Sequence, residues 1–133
     1  MFVVDASVVV AALTTERATG PAAREVLLTV THALAAPALM DLEVVSALRR
    51  LDTKPHAPTG LAATALGELA SLRVERWPHE ALLDRVWQLR HNLTPYDASY
   101  VALAERLGAT LVTADRAHLA APGVECDVRM LSG

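Results

Sequence analysis

The sequence predicts an α/β fold, a three-layer α/β/α sandwich around a central, mostly parallel sheet. Three observations predict it. Short apolar runs of strand length alternate with segments of helical periodicity, the first strand is a continuous apolar run like those buried on both faces of a sheet, and Gly or Pro marks the boundaries. At 133 residues the chain can bury a continuous core, and one domain is expected over 1–133.

The elements follow in order. Residues 1–4 are an apolar run ending at Asp5, and "ASVVVAAL" after them suits a helix, so a buried strand feeds a helix. A second helix is expected after Pro21, with Gly20 and Pro21 marking its start or a break. "AAPA" is a short strand that Pro37 closes. Over residues 39–51, Leu39, Met40, Val44, Ala47, Leu48 and Leu51 make an apolar helical stripe, Arg49, Arg50 and Asp52 face out, and Glu43 lies beside the stripe. "DTKPHAPTG" is a loop, "LAATALGELASL" a helix, "RVERW" a strand stopped by Pro78, and "HEALLDRVWQLRHN" a helix. "TPYDASYVALAERLGATLVTAD" carries the clearest pattern: a capped helix, Gly108 as its stop, the strand "ATLVT", and a new helix start at Asp115. "VECDVRML" alternates as an edge strand does.

Composition narrows the function. Apolar residues make up 53% of the chain, and exchanging the two Tyr for the six Gly in that count carries it further above the roughly 45–50% usual for soluble domains, leaving apolar surface for a partner. No run is long enough for a membrane span, and the amino-terminal run lacks a basic flank, so a cytoplasmic protein is expected. The single cysteine, Cys126, has no partner for an internal disulfide and reads as a packing residue. A net charge of −3 argues against a passive nucleic-acid binder, yet neutralising four acids with cations turns it into +1. Of the twelve basic residues only Lys54 is not Arg, and Arg suits both phosphate contacts and solvated helix faces.

Those four acids are Asp5, Glu43, Asp97 and Asp115. Asp5 ends a strand and Asp115 follows one, Glu43 and Asp97 lie in the first turns of helices that should open on the same edge, and ligands of parallel sheets bind outside the carboxyl ends of the strands. Carboxylates brought together repel unless a cation lies between them, and hard oxygen ligands suit Mg²⁺ or Mn²⁺. Taken singly, Asp5, Asp97 and Asp115 also read as helix caps, and Glu43 as a structural partner of Arg50. Their joint position at one sheet edge favours a metal-dependent site. The five histidines are scattered and read as surface residues, while Trp77, Trp87, Tyr96 and Tyr100 read as core or dimer packing.

Along essentially its whole length the chain resembles the VapC-type PIN-domain toxins of toxin–antitoxin modules. "VVDASVVVAAL", "APALMDLEVVSALRR" and "LTPYDASYVALAERLGATLVTAD" carry the resemblance. It implies a PIN-like sandwich and a metal-dependent endoribonuclease that hydrolyses RNA with Mg²⁺, or Mn²⁺ as a substitute, at Asp5, Glu43, Asp97 and Asp115. It also implies Ser7 and Thr113 as supporting hydroxyls, which read equally as local caps, a cognate VapB-type antitoxin, and a homodimer. Where some relatives carry a further acid this chain has Ala117, which puts a second cation in question.

Other readings use part of the same pattern. A haloacid-dehalogenase-like phosphotransferase wants a second Asp where Ser7 stands, and a receiver domain wants a late lysine, whereas Lys54 is the only one. A PIN-like DNA structure-specific nuclease shares the acids but would need extra segments to clasp DNA. A catalytically silent PIN-like protein-binding module has no use for four acids.

Overall fold

A computed structural model describes residues 1–15, 18–29, 31–116, 118 and 121–131. Ala117 and Leu119, within the helix expected after Asp115, lie outside the described residues. The strands are β1 (Phe2–Val4), β2 (Leu34–Pro37), β3 (Glu75–Trp77), β4 (Thr110–Thr113) and β5 (Val128–Met130). The helices are α1 (Ala6–Thr14), α2 (Thr19–Leu28), α3 (Leu39–Asp52), α4 (Leu61–Ser71), α5 (Leu83–Gln88) and α6 (Pro95–Leu107). A 3₁₀ turn at Glu80–Leu82 leads into α5.

The strands pair in the order β3-β2-β1-β4-β5, and every pair is parallel, a stricter outcome than the mostly parallel sheet expected. From β1 to β2 to β3 the chain steps one way across the sheet, and from β3 it returns to β4 on the other side of β1. Because parallel crossovers are right-handed, this reversal puts the α1–α4 connections on one face and α5 and α6 on the other. The contacts agree: α1 packs on α2, α3 and α4, whereas α6 packs on α5 and on β1, β2 and β4. The strand order reverses between β1 and β4, and the crevice at their carboxyl ends is where open α/β sheets bind ligands.

The core that holds this edge is aliphatic. Val3 and Val4 of β1, Leu111 and Val112 of β4, Met40 and Val44 of α3, and Val101 and Leu103 of α6 are fully buried. Thr94 caps α6 by accepting from the Asp97 backbone N–H at 3.2 Å, Pro95 opens the helix, and Gly108 closes it at φ 60°, where a side chain is disfavoured.

Two helices differ from expectation. Helix α2 starts at Thr19, ahead of Pro21, because the first helical N–H groups have no intrahelical partner and a proline there costs no bond. Gly20 in that turn is required by close approach, since a Cβ on it would lie 2.0 Å from the Thr15 carbonyl oxygen. The helix expected from "HEALLDRVWQLRHN" is cut to a 3₁₀ turn and the six residues of α5, as buried Leu82 and Leu89 anchor both ends of the segment to the core. Cys126 packs against the core as expected, and burial, then the nearby Glu105 carboxylate, pushes its thiol up to about 11. Among the described residues no helix is long and apolar enough to cross a membrane.

Candidate active site

Asp5, Glu43, Asp97 and Asp115 line one cleft of about 610 Å³ at the β1/β4 crevice. The sheet sets the first and last of these. Pairing of β1 with β4 in register, Val4 opposite Val112, brings both strand ends to the same level, and the Asp5 N–H donates to the Val112 carbonyl at 3.0 Å. Asp115 follows β4 by two residues, Glu43 lies in the second turn of α3, and Asp97 is the third residue of α6.

Two hydroxyls hold Asp5. Ser7 donates to Asp5 Oδ2 at 2.8 Å, and Thr113 donates to the same oxygen at 2.7 Å. Both also accept from the chain beyond β4: Ala114 N–H donates to Ser7 at 3.0 Å and Asp115 N–H to Thr113 at 2.9 Å. The pair thus stitches the turn after β1 to the turn after β4 and sets the direction of two acids at once. Asp5, by contrast, makes no side-chain cap on α1, so its buried carboxylate is not there to start the helix. With Oδ2 taken by two donors, Oδ1 is left for the cleft.

Glu43 is held from across the sheet edge. Tyr100, fully buried on α6, donates its hydroxyl to Glu43 Oε1 at 2.6 Å, a short bond of the kind made to a carboxylate. The structural pairing of Glu43 with Arg50 is not found: Arg50 reaches Ser46 instead. Burial raises the Glu43 carboxyl above the usual carboxylate range, the Tyr100 bond works against that rise, and the charges of Asp5 and Asp97 add to it. Asp97 is raised likewise, first by burial and then by Asp5 and Asp115, with His118 and Thr94 opposing. Burial and the Glu43 carboxylate push the Tyr100 phenol upward, so it stays a donor at neutral pH.

His118 corrects the expectation that every histidine is a surface residue. His32, His56, His79 and His91 are exposed, but the His118 ring is completely buried behind the acids. Its Nδ1 lies 3.4 Å from the Thr113 hydroxyl and 3.8 Å from Asp5 Oδ2. Its Nε2 lies 3.7 Å from Asp97 Oδ1, beyond hydrogen-bond range, and has no hydrogen-bond partner among the described residues. Of the aromatics expected to pack in the core or in a dimer, Tyr100 is fully buried, whereas Trp87 and Tyr96 are 66% and 62% exposed on the single chain, and Arg90 stacks over the Trp87 ring at 4.3 Å. Tyr100 and His118 are the site residues that the sequence reading missed. The available signal was spacing, since each stands three residues after an acid, Asp97 and Asp115.

The donor chemistry fits a divalent cation. Hard carboxylate oxygens share one cleft, two of the acids carry raised affinities for protons, and a buried imidazole nitrogen that has no partner among the described residues faces one of them. Among the described residues, however, no group of three His, Cys, Asp or Glu side chains is already arranged to hold a metal ion.

Comparison with known proteins gives a consistent result. The profile of the PIN domain matches residues 2–124. Ribonuclease VapC9 of Mycobacterium tuberculosis is 44% identical over 115 residues, covering 86% of this chain and 86% of that protein. Ribonuclease VapC12 of the same organism is 33% identical over 132 residues, covering 99% of this chain and all of that protein. The crystal structure of PAE2754 from Pyrobaculum aerophilum superposes with a TM-score of 0.67 at 29% identity, covering 95% of this chain and 87% of that one.

Proposed function

Since the chain belongs to the PIN-domain family, among the VapC ribonucleases, we propose that it is an endoribonuclease toxin whose activity needs a divalent cation at Asp5, Glu43, Asp97 and Asp115. The observation that carries the site is the gathering of these four carboxylates around one cleft at the point where the strand order reverses.

Bound there, Mg²⁺, with Mn²⁺ as a substitute, would polarise the phosphodiester, acidify the attacking water and offset charge on the leaving oxygen. The chain's own residues supply position. Ser7 and Thr113 fix Asp5, Thr113 fixes the backbone of Asp115, Tyr100 fixes Glu43, and the Thr94 cap fixes the first turn of α6 that carries Asp97. Preorganised carboxylates spend little energy on reorientation as charge develops at the phosphorus, where most of the rate enhancement of such reactions arises. In the hydrolysis, water oxygen bonds to phosphorus as the bond to one ribose oxygen breaks.

The same reading includes a cytoplasmic protein, a homodimer and a cognate VapB-type antitoxin. An acidic cleft invites a basic side chain of an inhibitor, and exposed Leu42, Val45 and Leu66 on α3 and α4 leave apolar surface for a protein partner. The test is incubation of the purified protein with RNA in Mg²⁺, in Mn²⁺ and in excess chelator, with the new 5′ ends mapped. Discrete cuts that need added cation are expected. Full cleavage in excess chelator would end the metal reading, and intact RNA under every condition would end the ribonuclease reading.

A further inference from the structure

The cleft does not end at the acids. It continues between α1 and α3, past Thr14, Thr15, Thr19 and Ser46, to Arg50, the one basic side chain among the described residues that line it. Arg50 lies seven residues after Glu43 on α3, two turns along the same face and about 10 Å further along the helix axis. Its Nη1 donates to the Ser46 hydroxyl at 3.2 Å, which steadies the guanidinium toward the cleft. Among the described residues it makes no ion pair, unlike Arg76, 3.0 Å from Asp41, and Arg85, 2.8 Å from Glu105. A guanidinium has five N–H donors in a fork that fits a phosphate, and most of those of Arg50 are open.

A polyanion approaching a site ringed by four acids on a chain of net charge −3 needs a cationic handhold near that site. Resting on the ribonuclease reading, we infer that Arg50 binds a phosphate of the RNA strand flanking the cleaved one, and so seats the substrate along α3. The α3 backbone at Arg50 lies about 10 Å along the axis from that at Glu43, and the guanidinium folds back one turn to Ser46, which places it beside the acids rather than among them. Arg49 supplies an internal control. It shares the last turn of α3 and the same favourable relation to the helix dipole, yet it does not line the cleft.

The experiment compares wild type, Arg50→Ala, Arg50→Lys and Arg49→Ala on a single-stranded RNA that wild type cuts, over a range of salt. Arg50 is exposed, so all four proteins are expected to melt alike. Arg50→Ala should raise KM about tenfold with kcat within about twofold, and flatten the slope of log(kcat/KM) against log salt by about 0.7. Arg50→Lys should keep the slope and raise KM less, because it retains charge without the fork. Arg49→Ala should leave KM within about twofold. Neutral methylphosphonate linkages walked along the RNA should weaken binding to wild type at one flanking position, and that loss should vanish in Arg50→Ala. If wild type cuts RNA but Arg50→Ala behaves like Arg49→Ala, or no linkage couples to Arg50, the assignment is overturned while the ribonuclease reading stands. If wild type cuts no RNA, both fall.

Discussion

Tyr100→Phe removes one oxygen and tests the site where it touches the fold. The hydroxyl donates to Glu43 Oε1 at 2.6 Å from a fully buried ring, and bonds to a charged group contribute roughly 1.5–3 kcal/mol net. Glu43 is only half-buried, so a released carboxylate regains some water and the lower end, about 1.5 kcal/mol, is expected. For a domain of this size that is a fall of about 3–6 °C in Tm. The pH dependence carries a sign. Burial already holds the Glu43 carboxyl above its ordinary value, and the Tyr100 bond restrains it, so the variant's carboxyl rises further. A carboxyl raised on folding contributes stability that is full below its unfolded value and is lost as pH rises through its folded value. The gap between wild type and variant should therefore be widest near pH 8 and shrink toward pH 4, where both carry a neutral Glu43. Melts of the cation-free proteins across that range measure it, and RNA cleavage in excess Mg²⁺ should show the acid limb of the variant's profile moved to higher pH. A gap of equal size at pH 4 and pH 8, with an unmoved acid limb, would refute the claim that the hydroxyl acts through the Glu43 charge.

Other consequences follow from the same geometry. Asp97→Asn keeps the Thr94 cap, which accepts from the backbone N–H, so the cation-free Tm should hold or rise while cleavage falls at least a hundredfold, about 3 kcal/mol in barrier, and the Mg²⁺-induced rise in Tm shrinks. Near-normal cleavage with an undiminished Mg²⁺ response would remove Asp97 from the site. Because Glu43 and Asp97 are both raised on folding, they favour the cation-free protein at low pH and that contribution is lost as pH rises through their folded values; melts at pH 5 and pH 8 should show this, and saturating Mg²⁺ should narrow the difference. Thr113→Val deprives Asp5 of one buried donor and the Asp115 N–H of its acceptor, and should cost about 2 kcal/mol by denaturant titration. Ser7→Ala, at a half-buried hydroxyl, should cost less.

The order of strands and helices was legible because the inner strands are short apolar runs closed by a turn residue or an acid, the edge strands β3 and β5 are set off by turns, and α6 carries its cap, its Pro and its Gly in sequence. Boundaries were less legible where tertiary packing outweighs local preference, as in α5, where the anchoring of Leu82 and Leu89 ends a helix that periodicity would continue. The four acids could be placed at one edge because strand ends and helix starts are local facts and the parallel topology turns them into a common address. Tyr100 and His118 could not be placed that way. Each looks like an ordinary helical or loop residue until the sheet brings α6 and the chain beyond β4 around Asp5, and only then do the Tyr100 hydroxyl and the His118 ring acquire carboxylates to face.

That division also explains how the site tolerates its own charge. Asp5 and Asp115 hang from strands whose register is fixed by backbone pairing, and Glu43 and Asp97 from helices packed into the aliphatic core, so the backbones cannot move apart to relieve repulsion. The side chains must take up the strain. Asp5 does so by accepting two hydroxyls on one oxygen, Glu43 by accepting the Tyr100 hydroxyl and a raised proton affinity, and Asp97 by a raised proton affinity beside an imidazole it does not quite bond. On the proposed reading a cation then needs only side-chain rotations to complete its shell. Binding energy is not spent on moving the fold, and the metal-induced gain in stability should reside in these four residues rather than in the sheet. Hydrogen exchange with and without Mg²⁺ separates the two: protection should increase at the amides of Asp5, Asp97 and Asp115 and stay level along β2 and β3, whereas a uniform increase across the sheet would mean that the cation reorganises the backbone.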